Sequence, residues 1–286
     1  MKFRQKTLSV CIAALLGGAT PALAAPSAPS LGAAADFAVL SAAPGGLGAV
    51  TCTDSTISGN VGSSGLPASV VQTSCAIAGA IVAPVSDGVL TAFNGAYDAL
   101  AGQSCDTFLT GTLAGVTLTP GVYCFDAAAT LTGTLTLSGG VNDTWLFKVG
   151  TSGTGALTGT NFSVVMADGA SACNVTWWVA EAATMTTSSF LGTILAGAAI
   201  TGTGVAPTSP FEGRALAKAG VTLTNVAFVG CTGGSIGGTT KSKCNQGVGN
   251  GPEGCDPGNS NQGNPFRSND ELGGVPGKPG RMGGNK

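Results

Sequence analysis

Ala129–Leu137 reads ATLTGTLTL, and the phrase keeps returning along the chain. It recurs as ALTGTNFSV at Ala156–Val164, ATMTTSSFL at Ala183–Leu191, AITGTGV at Ala199–Val205 and VTLTNVAFV at Val221–Val229. Each copy has an aliphatic residue, Thr, a small residue, often Thr, Ser or Asn, then an apolar residue again. Copies begin roughly 15 to 30 residues apart, a range in which repeats stack as solenoids. A strand rises ~3.3 Å per residue and alternates faces, so Thr residues two apart point the same way at ~6.7 Å. Stacked parallel rungs lie ~4.8 Å apart. Threonine-bearing rungs would therefore build a flat grid of hydroxyl and methyl groups. Leu131, Leu135, Leu157, Ile200 and Leu223 would face inward and fill the coil. Thr is also an ordinary solvent-face residue of β-proteins, so the repeat alone leaves the function open.

Composition narrows that choice. The chain has 286 residues, enough for one sizeable core plus tails. It carries 47 Gly, and only 9% of its residues are charged, against about a quarter in typical domains. Net charge is −2 and there is no His. No basic stripe exists to neutralise phosphates, so nucleic acid is excluded as a partner. No imidazole is available as a base or metal ligand, which weakens most catalytic readings. Thr, Ser, Asn and Gly must supply the polar surface.

The N-terminus reads as a secretory signal peptide over residues 1–24. Lys2, Arg4 and Lys6 precede the apolar stretch Leu8–Ala19, and Ala22-Leu23-Ala24 is an A-x-A cleavage site. The stretch is too short and too rich in Ala and Gly for a comfortable membrane span, so no span is expected in the mature form. Cys11 sits too early for a lipoprotein site. Export leaves eight of the nine Cys in an oxidising compartment, which suggests disulfides rather than a metal site. No C-x-x-C occurs. Local pairs are expected at Cys52 with Cys75 and Cys244 with Cys255, with Cys105, Cys124, Cys173 and Cys231 pairing among themselves.

After the spacer Ala25–Ser30, Leu31–Val82 reads as short strands and tight turns. From Ser86 to Gly102 the period changes from 2 to 3.6. Val89, Phe93, Ala96, Tyr97 and Leu100 then fall on one stripe, the signature of an amphipathic helix. Ser86 or Asp87 can cap its start and Gly102 its end. About 16 residues make ~24 Å of helix, the length of about five rungs at ~4.8 Å. Such a helix could lie along a solenoid and cover one side. Val122–Phe125, Trp145–Val149, Val175–Val179 and Arg214–Ala217 are blunter apolar runs and read as other sides of the coil. Trp177-Trp178 puts one indole on each face of its strand, the inner one in the core and the outer one under the helix or against a ligand. After Cys231 aliphatic residues nearly vanish, and 233–286 reads as a disordered Gly/Asn/Pro-rich tail. Asp256, Asn259 and Asn261 lie close together there without an EF-hand pattern, and no metal or other cofactor is expected.

Several of these phrases resemble a known family, the DUF3494-type ice-binding proteins of bacteria and fungi. Leu31–Leu40 (LGAAADFAVL) is similar to its opening, and Leu118–Phe125 (LTPGVYCF) to its central phrase. Leu131–Leu137, Ala172–Val175 with Trp177, and Gly213–Ala217 continue the likeness in order up to about Cys231. The resemblance implies an all-β fold with one long helix: an irregular right-handed β-solenoid, triangular in section, over residues 25–232, with the helix at about 86–102 packed alongside. It also implies a flat face that binds ice, carrying in several relatives a T-[A/G]-X-[T/N] motif. Thr158-Gly159-Thr160-Asn161 fits that motif. Thr91-Ala92-Phe93-Asn94 fits too but falls in the helix. Thr132-Gly133-Thr134 and Thr201-Gly202-Thr203 fit in part, ending in Leu135 and Gly204.

The candidate ice-binding residues are Thr132, Thr134, Thr158, Thr160, Asn161, Thr184, Thr186, Ser188, Thr201, Thr203, Thr222 and Thr224. The expected partner is the surface of an ice crystal, the expected location extracellular and the expected state a monomer. A secreted adhesion or matrix module without ice activity is the alternative. A polysaccharide-cleaving β-helix enzyme would need clustered carboxylates, or calcium with a basic residue. The candidates are Asp126, Asp143, Asp168, Glu181, Glu212, Arg214 and Lys218, of which Glu212, Arg214 and Lys218 alternate along one strand and would share a face. A salt-bridge strip explains that triplet equally well, and no catalysis is expected.

Overall fold

Alternating Thr and aliphatic residues are stiff at χ1 and suited to a pleated, half-buried surface. In the computed structural model, which describes residues 29–204 and 210–231, they form parallel strands wound into a solenoid with three sides. The expected signal peptide and tail, with Cys244, Cys255 and the acidic group around Asp256, lie outside the described residues.

The first side belongs to an eight-stranded sheet. Its strands lie in the order Val70–Thr73, Val50–Thr53, Val221–Thr224, Ile200–Thr203, Ala183–Thr186, Leu157–Ala167, Ala129–Ser138 and Val116–Leu118, all parallel. Val116–Leu118 and the ends of Ala129–Ser138 and Leu157–Ala167 run past a corner onto the second side. The rest of that side and the third share a twelve-stranded sheet that bends at Gly192 and Gly213. These glycines pair in register, with φ of 117° and 148°. A Cβ on Gly213 would come within 1.9 Å of the Gly192 carbonyl oxygen, so only glycine passes this corner. Before the bend Phe190–Ala196 and Pro210–Ala217 run on the second side, beside Ala227–Gly230 and Thr56–Ser58. After it they run on the third side, between Val175–Val179 and Phe37–Ser41.

The winding is not continuous in sequence. Residues 37–82 form coils at one end. The chain then enters the helix Asp87–Ala101 and resumes winding at Thr107–Phe108, the opposite edge of the sheet. The later coils wind back until Val221–Thr224 docks on Val50–Thr53. The helix buries Val89, Phe93, Ala96, Tyr97 and Leu100, the predicted stripe. They pack on Leu40, Leu216, Leu195, Trp178, Leu146 and Val122 of the third side. Trp178 is therefore covered by the helix, 5.4 Å from the Tyr97 ring. No helix among the described residues is long and apolar enough to cross a membrane.

Inside the coil, aromatic rings follow one another along the axis. Tyr123, Phe147, Trp177, Phe190, Phe211 and Phe228 lie with successive centroids 4.0–5.6 Å apart. Leu131, Leu135, Leu157, Ile200 and Leu223 are buried among them, as expected. Disulfides join Cys52 to Cys75, Cys105 to Cys124 and Cys173 to Cys231, in agreement with the one local pair and the group of four.

One reading is overturned. Glu212, Arg214 and Lys218 do not share a face, because the Gly213 bend separates them. Glu212 is exposed on the second side. Arg214 is fully buried on the third, where its Nε donates to Ala35 O at 3.3 Å. Burial pulls its guanidinium below its usual pKa, against the opposing pull of the Asp36 carboxylate. Lys218 lies past the strand end, 3.7 Å from Asp98 and over the Tyr97 ring.

Candidate functional site

Among the described residues, the first side is the only uncovered one whose strands repeat the apolar-Thr-x-Thr phrase in register. Thr51, Thr222, Thr201, Thr184, Thr158 and Thr130 are successive partners across it and form one column. Thr53, Thr224, Thr203, Thr186 and Thr160 form a second, two residues on. Thr73 extends the second column at one end, where Val71 takes the equivalent place in the first. Thr132 continues it at the other end, beside a register shift. All these threonines are exposed or half-buried. No outward position of these strands is ionisable.

Flatness comes from what lies beneath. Between the columns the inward residues run Leu131, Gly159, Met185, Gly202, Leu223 and Cys52, all buried. Glycines alternate with larger side chains, so each Gly leaves room for its neighbour. A Cβ on Gly159 would approach Met185 Sδ to 2.6 Å, and one on Gly202 would approach Leu223 Cδ2 to 3.0 Å. The glycine of Thr-Gly-Thr thus serves the core, while its threonines face out.

Six of the rungs also end alike. Ser74, Asp54, Asn225, Thr187, Asn161 and Gly133 follow the second column with φ between 46° and 71°. Left-handed backbone suits Asn, Asp and Gly, which turn the chain onto the second side. Backbone N–H groups at these corners bind the next rung: Asp54 N to Thr73 O at 2.9 Å, Asn225 N to Thr53 O at 3.1 Å and Thr187 N to Thr203 O at 2.8 Å. Thr187 Oγ1 also donates to Asn161 Oδ1 at 2.7 Å.

Of the predicted residues, Thr158, Thr160, Thr184, Thr186, Thr201, Thr203, Thr222 and Thr224 come together in the two columns, and Thr132 joins their end. Asn161 is a corner residue rather than a grid position. Thr134 lies past the Gly133 corner, partnered with Ser163. Ser188 leaves the surface altogether: it is 6% exposed, donates to Thr186 O at 2.9 Å and accepts from Phe162 N at 3.2 Å. The sequence reading missed Thr51, Thr53, Thr73 and Thr130. Val50-Thr51-Cys52-Thr53-Asp54 matches Val221-Thr222-Leu223-Thr224-Asn225 position for position, and that likeness was the available signal. Thr130 was lost because four threonines alternate in Ala129–Leu137, and only the Gly133 corner shows which two belong to this side.

Chemically, the columns offer hydroxyls beside methyls on stiff supports, without ions. They suit an extended, ordered partner rather than a small molecule.

Comparison with known proteins agrees with this architecture. Residues 38–229 match the family model described as Ice-binding-like. An ice-binding protein of Flavobacterium frigoris is 34% identical over 185 residues, which is 58% of this chain and 64% of that protein. The chain thus spans just under two thirds of that relative. The ice-binding protein K3-B1 of Typhula ishikariensis is 32% identical over 204 residues, 62% of this chain and 81% of that one. Among solved structures, an ice-binding protein from Antarctomyces psychrotrophicus has a TM-score of 0.61 at 28% identity, covering 73% of this chain and 100% of that chain. One from an Antarctic biological consortium has a TM-score of 0.61 at 27% identity, covering 72% and 91%.

Proposed function

Since the chain belongs to the Ice-binding-like family, we propose that it is exported, adsorbs to ice as a monomer through its first side, and restrains ice growth or recrystallisation without catalysing a reaction. The observation that carries this reading is the in-register pair of threonine columns, free of charge and backed by a packed core.

A single hydroxyl does not hold ice against water, because each bond made replaces one already present and the net gain is only ~1 kcal/mol. A rigid array differs. Its rungs repeat at ~4.8 Å and its columns at ~6.7 Å, so methyl groups order the water between them while hydroxyls anchor it. The ordering entropy is then carried by the scaffold rather than by flexible side chains. Charged side chains would hold competing hydration shells, and the columns contain none.

Purified protein should be taken up into a slowly growing ice hemisphere. Thr158→Tyr and Thr160→Tyr should each lower thermal hysteresis while leaving the melting transition in place. Exclusion from the hemisphere, or full hysteresis in both variants, would sink the reading. Secretion is tested separately: the mature chain should begin at Ala25 when sequenced from the medium.

A further inference from the structure

Beyond the Ala129–Ser138 strand the chain repeats its own phrase once more without forming a strand. Leu109-Thr110-Gly111-Thr112 has the sequence of Leu157-Thr158-Gly159-Thr160, and nearly that of Ile200-Thr201-Gly202-Thr203. Its surroundings are those of a rung. Leu109 N donates to Cys124 O at 2.7 Å, which ties its start to the third side. Thr132 N donates to Thr112 O at 3.2 Å, which ties the segment to the end of the second column, one residue out of register, with Thr112 opposite Leu131 and Leu113 opposite Thr132. Leu113 then turns with φ 61°, as Asn161, Thr187 and Asn225 do on their rungs. Gly115 N donates to Thr134 O at 2.7 Å, and Val116–Leu118 pairs along Leu135–Leu137 on the next side. The middle of this coil departs from the ladder. Gly111 has φ 79°, which carries Thr110 and Gly111 away from the neighbouring strand. A groove of about 520 Å³ opens there, with Thr110, Gly111 and Thr112 on one wall and Asp126, Ala129 and Thr130 on the other. Thr110, Gly111 and Thr112 are all exposed.

We infer that Thr112 and Thr110 are further ice-contacting residues, which continue the face past the ends of the two columns on a segment that no strand marks. The inference rests on the ice-binding reading of the first side. Both threonines present the same hydroxymethyl chemistry as their neighbours, and the bond to Thr132 holds Thr112 against the end of the face. Leu113, 3% exposed, anchors the rung by filling the end of the core.

The test compares Thr110→Tyr and Thr112→Tyr with Thr158→Tyr and Thr160→Tyr in the full chain, by thermal hysteresis at equal concentration and by thermal unfolding. The expected result is a roughly twofold fall in hysteresis for Thr112→Tyr and Thr110→Tyr, smaller than at the more central Thr158 and Thr160, with unfolding unchanged. Because both residues are exposed, the double variant Thr110→Ala with Thr112→Ala serves as a second probe that adds no bulk. It should lower hysteresis in the same direction. Full hysteresis in the Thr110 and Thr112 variants, alongside losses at Thr158 and Thr160, would overturn the rung and leave the ice reading standing. Full hysteresis in every variant would overturn both.

Discussion

Glycine has two distinct jobs at the level of single residues, and they predict different costs. At Gly213 the obstacle to a Cβ is backbone: the Gly192 carbonyl oxygen at 1.9 Å, on a residue with φ 148°. Gly213→Ala should therefore cost at least about 3 kcal/mol, since clash and strained dihedral add. At Gly159 the obstacle is the thioether of Met185, the far end of a flexible side chain. Gly159→Ala should cost less than about 2 kcal/mol, and combined with Met185→Ala it should cost less than the sum of the two single changes. Chemical denaturation of these variants checks the order. Were Gly159→Ala the costlier of the two glycine changes, the role given to the corner would be wrong. The threonines above this layer behave differently again. Thr201→Val keeps shape and χ1 stiffness but removes a hydroxyl, so it should retain stability and lose part of the hysteresis.

The helix is the element whose attachment is most sensitive to ionisation. Its C-terminal end is held by Lys148, a buried side chain whose Nζ donates to Ala101 O at 2.9 Å and also to Gln103 O. That places a cation where helix carbonyls lack partners and the dipole is negative. Burial lowers the Lys148 pKa, so its hydrogen bonds work against a desolvation cost. Lys148→Met should destabilise the fold by about 1–3 kcal/mol through the carbonyls left unpaired. Tyr97, midway along, donates to Val179 O at 3.1 Å and faces Trp178, Asp98 and Lys218. Burial, with a smaller push from Asp98, moves its hydroxyl from 10.0 up to about 12. Below pH 10.0 folded and unfolded chains both keep that proton and the contribution is fully present. Between 10.0 and about 12 only the folded chain keeps it, so stability falls by about 2–3 kcal/mol across that window. Tyr97→Phe should flatten this alkaline limb in denaturant titrations at pH 9 to 12. The helix itself was legible because Val89, Phe93, Ala96, Tyr97 and Leu100 break a period of 2 with one of 3.6. The site was less so. A period of 2 shows which threonines share a strand face, but not where a corner divides a strand. Hence Thr134 was placed on the grid, and Ser188 was read as surface although it closes a turn. The rungs at Thr51 and Thr53 went unread because Cys52 stands where other copies have Leu, Gly or Met.

For the molecule as a whole, the binding surface is assembled from two stretches that the helix separates. Val50–Thr53 and Val70–Thr73 precede it, while the remaining rungs follow it. If the columns act as one surface across the joint at Val221–Thr224, then Thr53→Tyr should lower hysteresis as much as Thr224→Tyr. An effect at Thr224 alone would confine activity to the later coils. The Cys52–Cys75 disulfide spans 23 residues beneath the outermost of these rungs. Replacing both cysteines with Ser should lower stability by about 3 kcal/mol, read by thermal unfolding. The same joint governs how the protein must be made. The strand that Val50–Thr53 needs as its neighbour is the last of its sheet to leave the ribosome, so the early coils wait with an open edge until nearly the whole described chain exists. Pairing over such separations is slow and leaves edges open to mispairing. Maturation should therefore be a post-translational event, and a chain truncated before Val221 should accumulate as aggregate rather than as a shorter solenoid.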